Sequence, residues 1–405
     1  MRAPTPLSAG TLILALTVMA PAAPDEKKTE PARDPASPAA IRAAADRGAA
    51  WLAARQNPDG GYGPFGDFRV KNASDVGITA FAVYALARSG ASAKPEAAVS
   101  VARAIEFLLA KQEENGAFYD PRDPALQNYK TSVALLALNA LDRVKHAAAI
   151  KKAQAFIKAQ QFDEDDGYKP GENAGFGGIG YGSKQRPDLS NTQFALEALA
   201  ESGLSGTEEL WRKAAVFIAR CQNSKTVDPV LQKLNVGTTG DGGFRYAPDE
   251  TRGPAESLDT GPRIFSSYGS MTYAALKSLL YAAVSKDDQV IKDAFDWISK
   301  NFTVRENPGM ATRANPRSGQ QGLYYYYHTM AKALSLYGQP IIKDEKGTAH
   351  DWARELGAHL ISLQHPEGYW KSDSERWYEE IPVLATSYAV VALVECRTSL
   401  EKTSR

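Results

Sequence analysis

The sequence predicts an all-α protein: a single (α/α)6 toroid, or barrel, in which six helix-pair repeats form an inner and an outer ring. Three observations support this prediction. A glutamine–glycine–aromatic motif recurs at intervals of about 50 to 80 residues. Six strongly apolar segments alternate with amphipathic ones. No segment shows the period-two alternation that is typical of a β-strand.

The recurring motif predicts a joint between the two helices of each repeat. Glycine tolerates a positive φ directly after a helix, and the aromatic residue buries a large surface against the neighbouring repeat. The glutamine amide can satisfy backbone groups left open at a helix end. The copies are Q-x-x-x-G-x-aromatic at residues 56–62, 112–118 and 364–370, expanded forms from Gln161 through Gly167 to Tyr168 and from Gln222 through Gly242 to Phe244, and a degenerate form near Asn301.

Each joint leads into an apolar segment that opens with a threonine. A helix that is apolar on every side is buried on every side. We therefore expect these segments to form the inner ring, enclosed by amphipathic helices such as residues 148–158. The predicted inner helices begin near Thr79, Thr131, Thr192, Thr272, Thr329 and Thr386.

Composition excludes several function classes. The 405 residues contain 47 Lys plus Arg and 47 Asp plus Glu, so no net charge favours nucleic acid or an anionic membrane surface. Cys221 and Cys396 lie outside any metal-ligand spacing. We expect no nucleic-acid partner, no bound metal and no cofactor, whereas the oligomeric state stays open.

The N-terminus has the pattern of an export signal. Arg2 precedes an apolar run over residues 11–20, and small residues follow at a cleavage position. Crossing a bilayer takes about 20 apolar residues, so this shorter run predicts a cleaved signal peptide and no membrane span. The predicted organisation is a signal peptide at residues 1–23, a disordered linker at 24–39 and the toroid domain at 40–400. The mature protein is then periplasmic or extracellular.

These repeats resemble those of the prenyltransferase and squalene oxidase superfamily, which includes squalene-hopene cyclases and protein prenyltransferase β-subunits. The repeat of that superfamily is Q-x-x-x-G-x-W, which the copy ending in Trp370 matches fully; Tyr62 and Phe118 replace the tryptophan in two others. The resemblance covers about residues 40–400. It implies a closed α/α barrel whose central cavity receives an isoprenoid-like or other elongated apolar ligand.

The catalytic residues of that superfamily are only partly matched. Type II cyclases protonate their substrate with an aspartate in a D-x-D-D-T motif at the start of an inner helix. Residues 188–192 read Asp-Leu-Ser-Asn-Thr, so Ser190 stands where the proton donor would be. A neutral serine hydroxyl is not a strong acid. Asp75 is similarly placed, with Gly77 at the donor position.

The zinc ligands of the prenyltransferases are also incomplete. Their histidine lies in a Tyr-His-Thr sequence, which Tyr327, His328 and Thr329 resemble. The Asp-x-Cys expected in the preceding repeat is replaced by Tyr268-Gly269-Ser270. Losing both anionic ligands removes most of the zinc affinity, so the resemblance predicts no metal site.

Polar residues gather at the starts of the inner helices, where free N–H groups and helix dipoles point to one rim. We predict that they face one cavity, with His328 or Tyr268 transferring a proton and Asp188 orienting. The tyrosine run at residues 324–327 is a candidate stacking wall. Helix capping is the simpler alternative for Asp188 and Ser190. The predicted site comprises His328, Tyr268 and Asp188 as catalytic residues and Asp75, Ser190, Asn191, Ser270 and Tyr327 as substrate-binding residues.

Two other functions stay open at this stage. α/α barrels also carry polysaccharide lyases and glycosidases, whose chemistry needs carboxylates or a Tyr or His base in a cleft. A structural or scaffold protein whose repeats lack catalysis is the other alternative. An apolar tunnel would favour the isoprenoid ligand, an open polar cleft carbohydrate chemistry, and a barrel filled by its own side chains the scaffold.

Overall fold

The structure is a computed structural model that describes residues 1–2, 36–64, 74–182, 186–204, 208–257 and 261–403. The chain separates into Met1–Asp34 and Pro35–Arg405, and the second unit carries every helix and strand described below. The predicted signal peptide, apart from its first two residues, and residues 24–35 of the linker lie outside the described residues.

The described part of the chain contains thirteen α-helices, four short 3-10 helices and two antiparallel two-stranded sheets. The helices are α1 Pro38–Ala53, α2 Val76–Arg88, α3 Pro95–Leu109, α4 Gln127–Asp142, α5 Ala147–Lys158, α6 Leu189–Glu201, α7 Glu209–Arg220, α8 Pro229–Lys233, α9 Gly269–Tyr281, α10 Gln289–Lys300, α11 Leu323–Tyr337, α12 Trp352–Leu363 and α13 Pro382–Thr403. The strands are β1 Ala255–Ser257, paired with β2 Arg263–Phe265, and β3 Ile341–Lys343, paired with β4 Ala349–Asp351.

The six predicted apolar segments form one closed inner ring. Helix α2 packs on α4, α4 on α6, α6 on α9, α9 on α11, α11 on α13, and α13 returns to α2. Helices α1, α3, α5, α7, α10 and α12 lie outside this ring. The two groups bury different surfaces, since the first eleven residues of α9 are all buried whereas α10 buries only one face, around Trp297. The prediction of an all-α toroid is therefore confirmed.

The threonine that recurs near the start of each inner helix has a structural role. Each inner helix begins three to six residues before its threonine, so the threonine lies inside the helix and does not start it. In five repeats its hydroxyl accepts a hydrogen bond from a backbone N–H of the joint. These bonds join Tyr62 to Thr79 (2.8 Å), Phe118 to Thr131 (2.9 Å), Ile179 to Thr192 (2.9 Å), Phe244 to Thr272 (3.1 Å) and Trp370 to Thr386 (3.0 Å).

Each joint glutamine connects its own repeat to the next outer helix. The side-chain amide donates to the carbonyl of the joint glycine and to a carbonyl of that helix. The pairs of acceptors are Gly60 and Ser100 for Gln56, Gly116 and Ala149 for Gln112, Gly177 and Leu210 for Gln161, Gly242 and Val290 for Gln222, and Gly368 and Ala44 for Gln364. The last pair closes the outer ring, because Ala44 lies in α1.

The prediction for the third joint was wrong in one detail. Gly167, expected to close it, ends a short 3-10 turn in open space. Gly177 is the equivalent glycine, with φ +85°, and Ile179 replaces the aromatic residue. A β-carbon on Gly177 would overlap the Lys213 carbonyl of α7, so only glycine allows the joint to approach the outer helix this closely.

The N-terminal end of the toroid is defined by local chemistry. Helix α1 begins at Pro38, two residues before the predicted domain start, because Ser37 caps it and proline is favoured in a first turn.

Helix α13 has the length and composition of a membrane span, but 83% of that stretch is buried inside the protein, as in a core helix.

Candidate functional site

The interior of the ring is built in three layers along its axis. The rim cluster lies at the N-terminal ends of the inner helices, the aromatic layer follows about one turn deeper, and the charged layer lies at their C-terminal ends. The rim cluster comprises Tyr129, Tyr181, Asp188, Ser190, Tyr246, Arg252, Tyr268 and Tyr325. The aromatic layer comprises Phe81, Phe194, His328 and Tyr388. The charged layer comprises Arg88, Glu197, Glu201, Lys277, Lys332 and Glu395.

Asp188 is both a helix cap and a buried carboxyl. It precedes α6, where Oδ1 accepts from the backbone N–H of Asn191 and Oδ2 from the Asn191 side chain, both at 2.8 Å. The residue is 1% exposed. Burial raises the pKa of Asp188 to about 6, although hydrogen bonds from Asn191 and Tyr246 act in the opposite direction. Asp188 therefore changes its charge near neutral pH.

Ser190, at the position of the cyclase proton donor, is held by two phenols. The Tyr129 hydroxyl donates to Ser190 Oγ, and the Tyr325 hydroxyl lies 2.9 Å from the same oxygen. Burial raises the pKa of Tyr325 and of Tyr129 above the ordinary range, so both phenols are neutral. This arrangement has hydrogen-bonding capacity but no strong acid.

A second part of the rim cluster comes from the long segment between Gln222 and α9. The Tyr246 hydroxyl lies 2.5 Å from that of Tyr181, and the Arg252 guanidinium stacks 4.3 Å from the centre of the Tyr246 ring. Leu189 at the start of α6 donates its backbone N–H to the Tyr246 carbonyl at 2.8 Å. Tyr246 and Arg252 were missed in the sequence analysis, since the residues that follow the joint motif ending at Phe244 have no repeat pattern.

Tyr268 lies in the same cluster. It precedes α9, is 3% exposed, and its side chain makes no capping hydrogen bond to that helix. Burial raises the pKa of Tyr268 well above its ordinary value, and negative charge on Tyr325 or Asp188 would raise it further. Tyr268 is therefore a neutral phenol that can donate a hydrogen bond but cannot act as a base.

His328 lies about one helical turn below Tyr325, within the aromatic layer. Its ring is 5.3 Å from Tyr388, 5.9 Å from Phe81 and 6.1 Å from Phe194, between ring centroids. Neither imidazole nitrogen has a hydrogen-bond partner among the described residues. Burial lowers the pKa of His328 to about 3, so the imidazole is neutral.

The charged layer fills the opposite end of the ring. Glu197, fully buried on α6, pairs with Lys277 of α9 and with Lys332 of α11, the second pair at 2.9 Å. Burial alone would raise the pKa of Glu197, but the two lysines together hold it well below its usual range. Arg88 pairs with Glu395 at 2.5 Å. Three acidic and three basic groups thus balance within one layer.

The remaining predicted residues have partners elsewhere. Asp75 caps α2 through the Ile78 N–H at 2.8 Å. The Ser270 hydroxyl accepts from Asn307 at 3.1 Å. The Tyr327 hydroxyl donates to the Val304 carbonyl and lies 2.9 Å from His359 Nε2, so this ring faces the outer helix α12. Asn191, by contrast, joins the rim through Asp188.

A buried glutamate positions the N-terminus of α11 beside the rim. Glu379 Oε1 accepts from the Tyr325 backbone N–H at 2.8 Å, and the residue is 1% exposed. Burial raises the pKa of Glu379 to about 7. Hydrogen bonds from backbone N–H groups of α11 lower this pKa, whereas the charge of Glu380 raises it.

The described residues contain no group of His, Cys, Asp and Glu side chains arranged to hold a metal ion.

Comparisons with known proteins agree with this architecture. Residues 37–229 match the squalene-hopene cyclase C-terminal domain. The type II terpene cyclase MstE from Scytonema superposes with a TM-score of 0.56 at 13% identity, covering 90% of this chain and 99% of that one. A variant of MstE bound to its substrate, geranylgeranyl dihydroxybenzoate, gives 0.55 at 13% identity, covering 89% and 98%.

The same fold also occurs with unrelated chemistry. A D-mannose isomerase superposes with a TM-score of 0.54 at 13% identity, covering 92% of this chain and 100% of that one. No curated protein matches the chain in sequence. At these identities the structural matches show the fold alone, so the function has to be argued from the side chains.

Proposed function

We propose that this squalene cyclase-like α/α toroid binds an isoprenoid-like or other elongated apolar ligand at the mouth of its inner ring. The observation that carries the proposal is the succession of two surfaces along the axis. The rim cluster supplies phenol hydroxyls, and the aromatic layer beneath it supplies closely spaced rings from α2, α6, α11 and α13. Apolar ligands with a polar end are held by this combination of surfaces.

The aromatic layer supports an apolar rather than a sugar ligand. The Phe81 ring lies 4.7 Å from Tyr388 and 5.6 Å from Phe194, and Phe194 lies 6.0 Å from Tyr325. Glycosidases need two carboxylates across a cleft. The carboxyl groups at or beside the rim are engaged within the protein: Asp188 and Glu379 are each 1% exposed and accept a backbone N–H at a helix start, and Glu250 pairs with Arg252 at 2.7 Å. This engagement disfavours the glycosidase alternative.

Any proton transfer at the rim is assigned to Asp188. Its pKa of about 6 allows both charge states near neutral pH. His328 and Tyr268 are held neutral by burial, and Ser190 has no activating base. The proposal therefore reverses the roles expected from the sequence, in which Asp188 only oriented another group.

The scaffold alternative has one specific observation in its favour. The ring interior below the rim is occupied by the aromatic and charged layers, so a ligand has to lie at the mouth or displace aromatic rings.

We also propose, on the N-terminal pattern alone, that the protein acts after export to the periplasm or beyond the cell.

A binding titration tests the proposal. Purified protein is titrated with farnesol and with the hydrocarbon farnesene, and ligand binding is followed by intrinsic fluorescence and calorimetry. We expect saturable binding of both, weakened about tenfold by Phe194→Ala because the substitution removes a large apolar contact surface. Tyr369→Ala is the matched control, since Tyr369 contacts Trp51 at an outer joint, with ring centroids 5.0 Å apart. Absence of saturable binding of either probe would support the scaffold function instead.

A further inference from the structure

Two side chains in the centre of the ring keep polar atoms without partners. Both nitrogens of His328 and Oε1 of Gln193 are buried, and none makes a hydrogen bond to the part of the chain described. Both residues are 0% exposed. Turning the Gln193 amide over would place its nitrogen in the same position, so one of its polar atoms stays unpaired in either orientation.

Helix register places these atoms at the same level. Near the rim, Gln193 Nε2 donates to the Tyr325 hydroxyl at 3.3 Å. Deeper in the ring, Glu197 contacts Lys332 at 2.9 Å. Gln193 and Glu197 are four residues apart on α6. Their partners Tyr325 and Lys332 flank His328 on α11, so these five residues lie on facing surfaces of the two helices. His328 therefore faces α6 at a depth between Gln193 and Glu197. Its stacking on Phe194, the residue after Gln193, agrees with this position.

The unpaired atoms define the chemistry that would satisfy them. A neutral imidazole has one N–H donor and one acceptor nitrogen, and the amide oxygen is a second acceptor. A buried polar atom without a partner costs free energy, so a group that pairs with it binds more tightly than an apolar group of the same size. A hydroxyl both accepts and donates, whereas a hydrocarbon does neither.

We propose that Gln193 and His328 form a binding position for the hydroxyl group of an apolar alcohol, so that the ligand class is a prenyl alcohol and not a hydrocarbon. This inference rests on the proposed function, with the ligand displacing rings of the aromatic layer so that its hydroxyl reaches these atoms and its apolar chain extends back towards the mouth. The ligand hydroxyl accepts from the imidazole N–H and donates to the Gln193 oxygen. Tyr325 and Tyr388, with ring centroids 6.1 Å apart, line the approach from the rim.

The test compares farnesol with farnesene, which share the carbon skeleton and differ in the hydroxyl. The wild-type protein should bind farnesol about tenfold more tightly. His328→Phe and Gln193→Met should each lose most of this preference, so that the ratio of the farnesene Kd to the farnesol Kd falls from about ten towards one. Phe81→Leu is the control, since it alters the same layer without removing a polar atom and should weaken both probes alike.

Two further readouts keep the test decisive. If His328→Phe does not fold, Gln193→Met measures the same preference. Nitrogen-15 NMR of the wild-type His328 imidazole should show a larger shift on adding farnesol than on adding farnesene.

Each outcome separates this inference from the function on which it rests. If wild type binds both probes equally, or if the preference for farnesol survives in both variants, the hydroxyl position is refuted and the apolar site stands. The same conclusion follows if farnesol leaves the His328 resonances unchanged. If neither probe binds, the proposed function itself has failed.

Discussion

Replacing Gly368 with alanine should destabilise the toroid at the joint that closes its outer ring. Gly368 has φ +99°, a conformation that costs a residue with a β-carbon about 1–2 kcal/mol. A β-carbon there would also lie 2.9 Å from the Arg47 carbonyl oxygen of α1 and 3.2 Å from its carbonyl carbon. Because these are backbone atoms of a packed helix, they cannot rotate away.

The two effects add to a loss larger than the backbone effect alone. Overpacking in a well-packed region costs about 1–3 kcal/mol, so the expected total is about 2–5 kcal/mol. Gly347→Ala isolates the backbone effect: φ is +79° in the turn between β3 and β4, and no atom lies within 4 Å of the added carbon. Gly171→Ala, in open space without a positive φ, should cost almost nothing.

Urea denaturation followed by circular dichroism gives the free energy of unfolding of each variant. The expected order of destabilisation is Gly368→Ala, then Gly347→Ala, then Gly171→Ala. If Gly368→Ala destabilises no more than Gly347→Ala, the close approach between joint and outer helix does not contribute, and the explanation of the repeated glycine is wrong.

Three further predictions concern buried polar groups. Gln222→Met should lower the free energy of unfolding by about 1–3 kcal/mol, because it leaves two buried carbonyls unpaired. The control Gln232→Met, on the exposed surface of α8, should change that free energy little in the same urea assay. Lys277→Met should lower the free energy of unfolding by about 3–5 kcal/mol, because it leaves the buried Glu197 with one partner fewer. In a double-mutant cycle, adding Glu197→Gln should recover part of that loss. Glu379 has a pKa of about 7 in the folded protein against an ordinary value of 4.5, so its contribution to the free energy of unfolding is full below pH 4.5 and lost as the pH rises through 7. Between these values Glu379→Gln should lose less stability than wild type; parallel pH profiles of thermal unfolding would contradict the assignment.

The repeat architecture could be predicted from the sequence because it depends on local patterns. Helical periodicity separates apolar from amphipathic segments, and glycine is needed wherever φ is positive beside a packed helix. The third joint failed because two glycines follow Gln161. Only the contact with Lys213 of α7 shows that Gly177, and not Gly167, closes it.

The candidate site was predictable only in part. The resemblance located residues 188–192 at an inner-helix start, where Asp188 and Ser190 are found in the rim cluster. Tyr325 and Tyr327 could not be distinguished, because residues two apart on a helix point in different directions and only packing shows which faces the axis. Tyr327 contacts His359 on the outside, whereas Tyr325 contacts Ser190.

The sequence by itself determined which segments are helical, which are buried on all sides and where the repeats join, since each of these depends on residues close together in the chain. Closure of the ring decided the rest. It brought Tyr246 and Arg252 from a non-repetitive segment to the rim, paired Glu197 with lysines 80 and 135 residues away, and stacked His328 on Phe194. Such contacts depend on how helices distant in sequence pack around one axis, a geometry that no local pattern encodes.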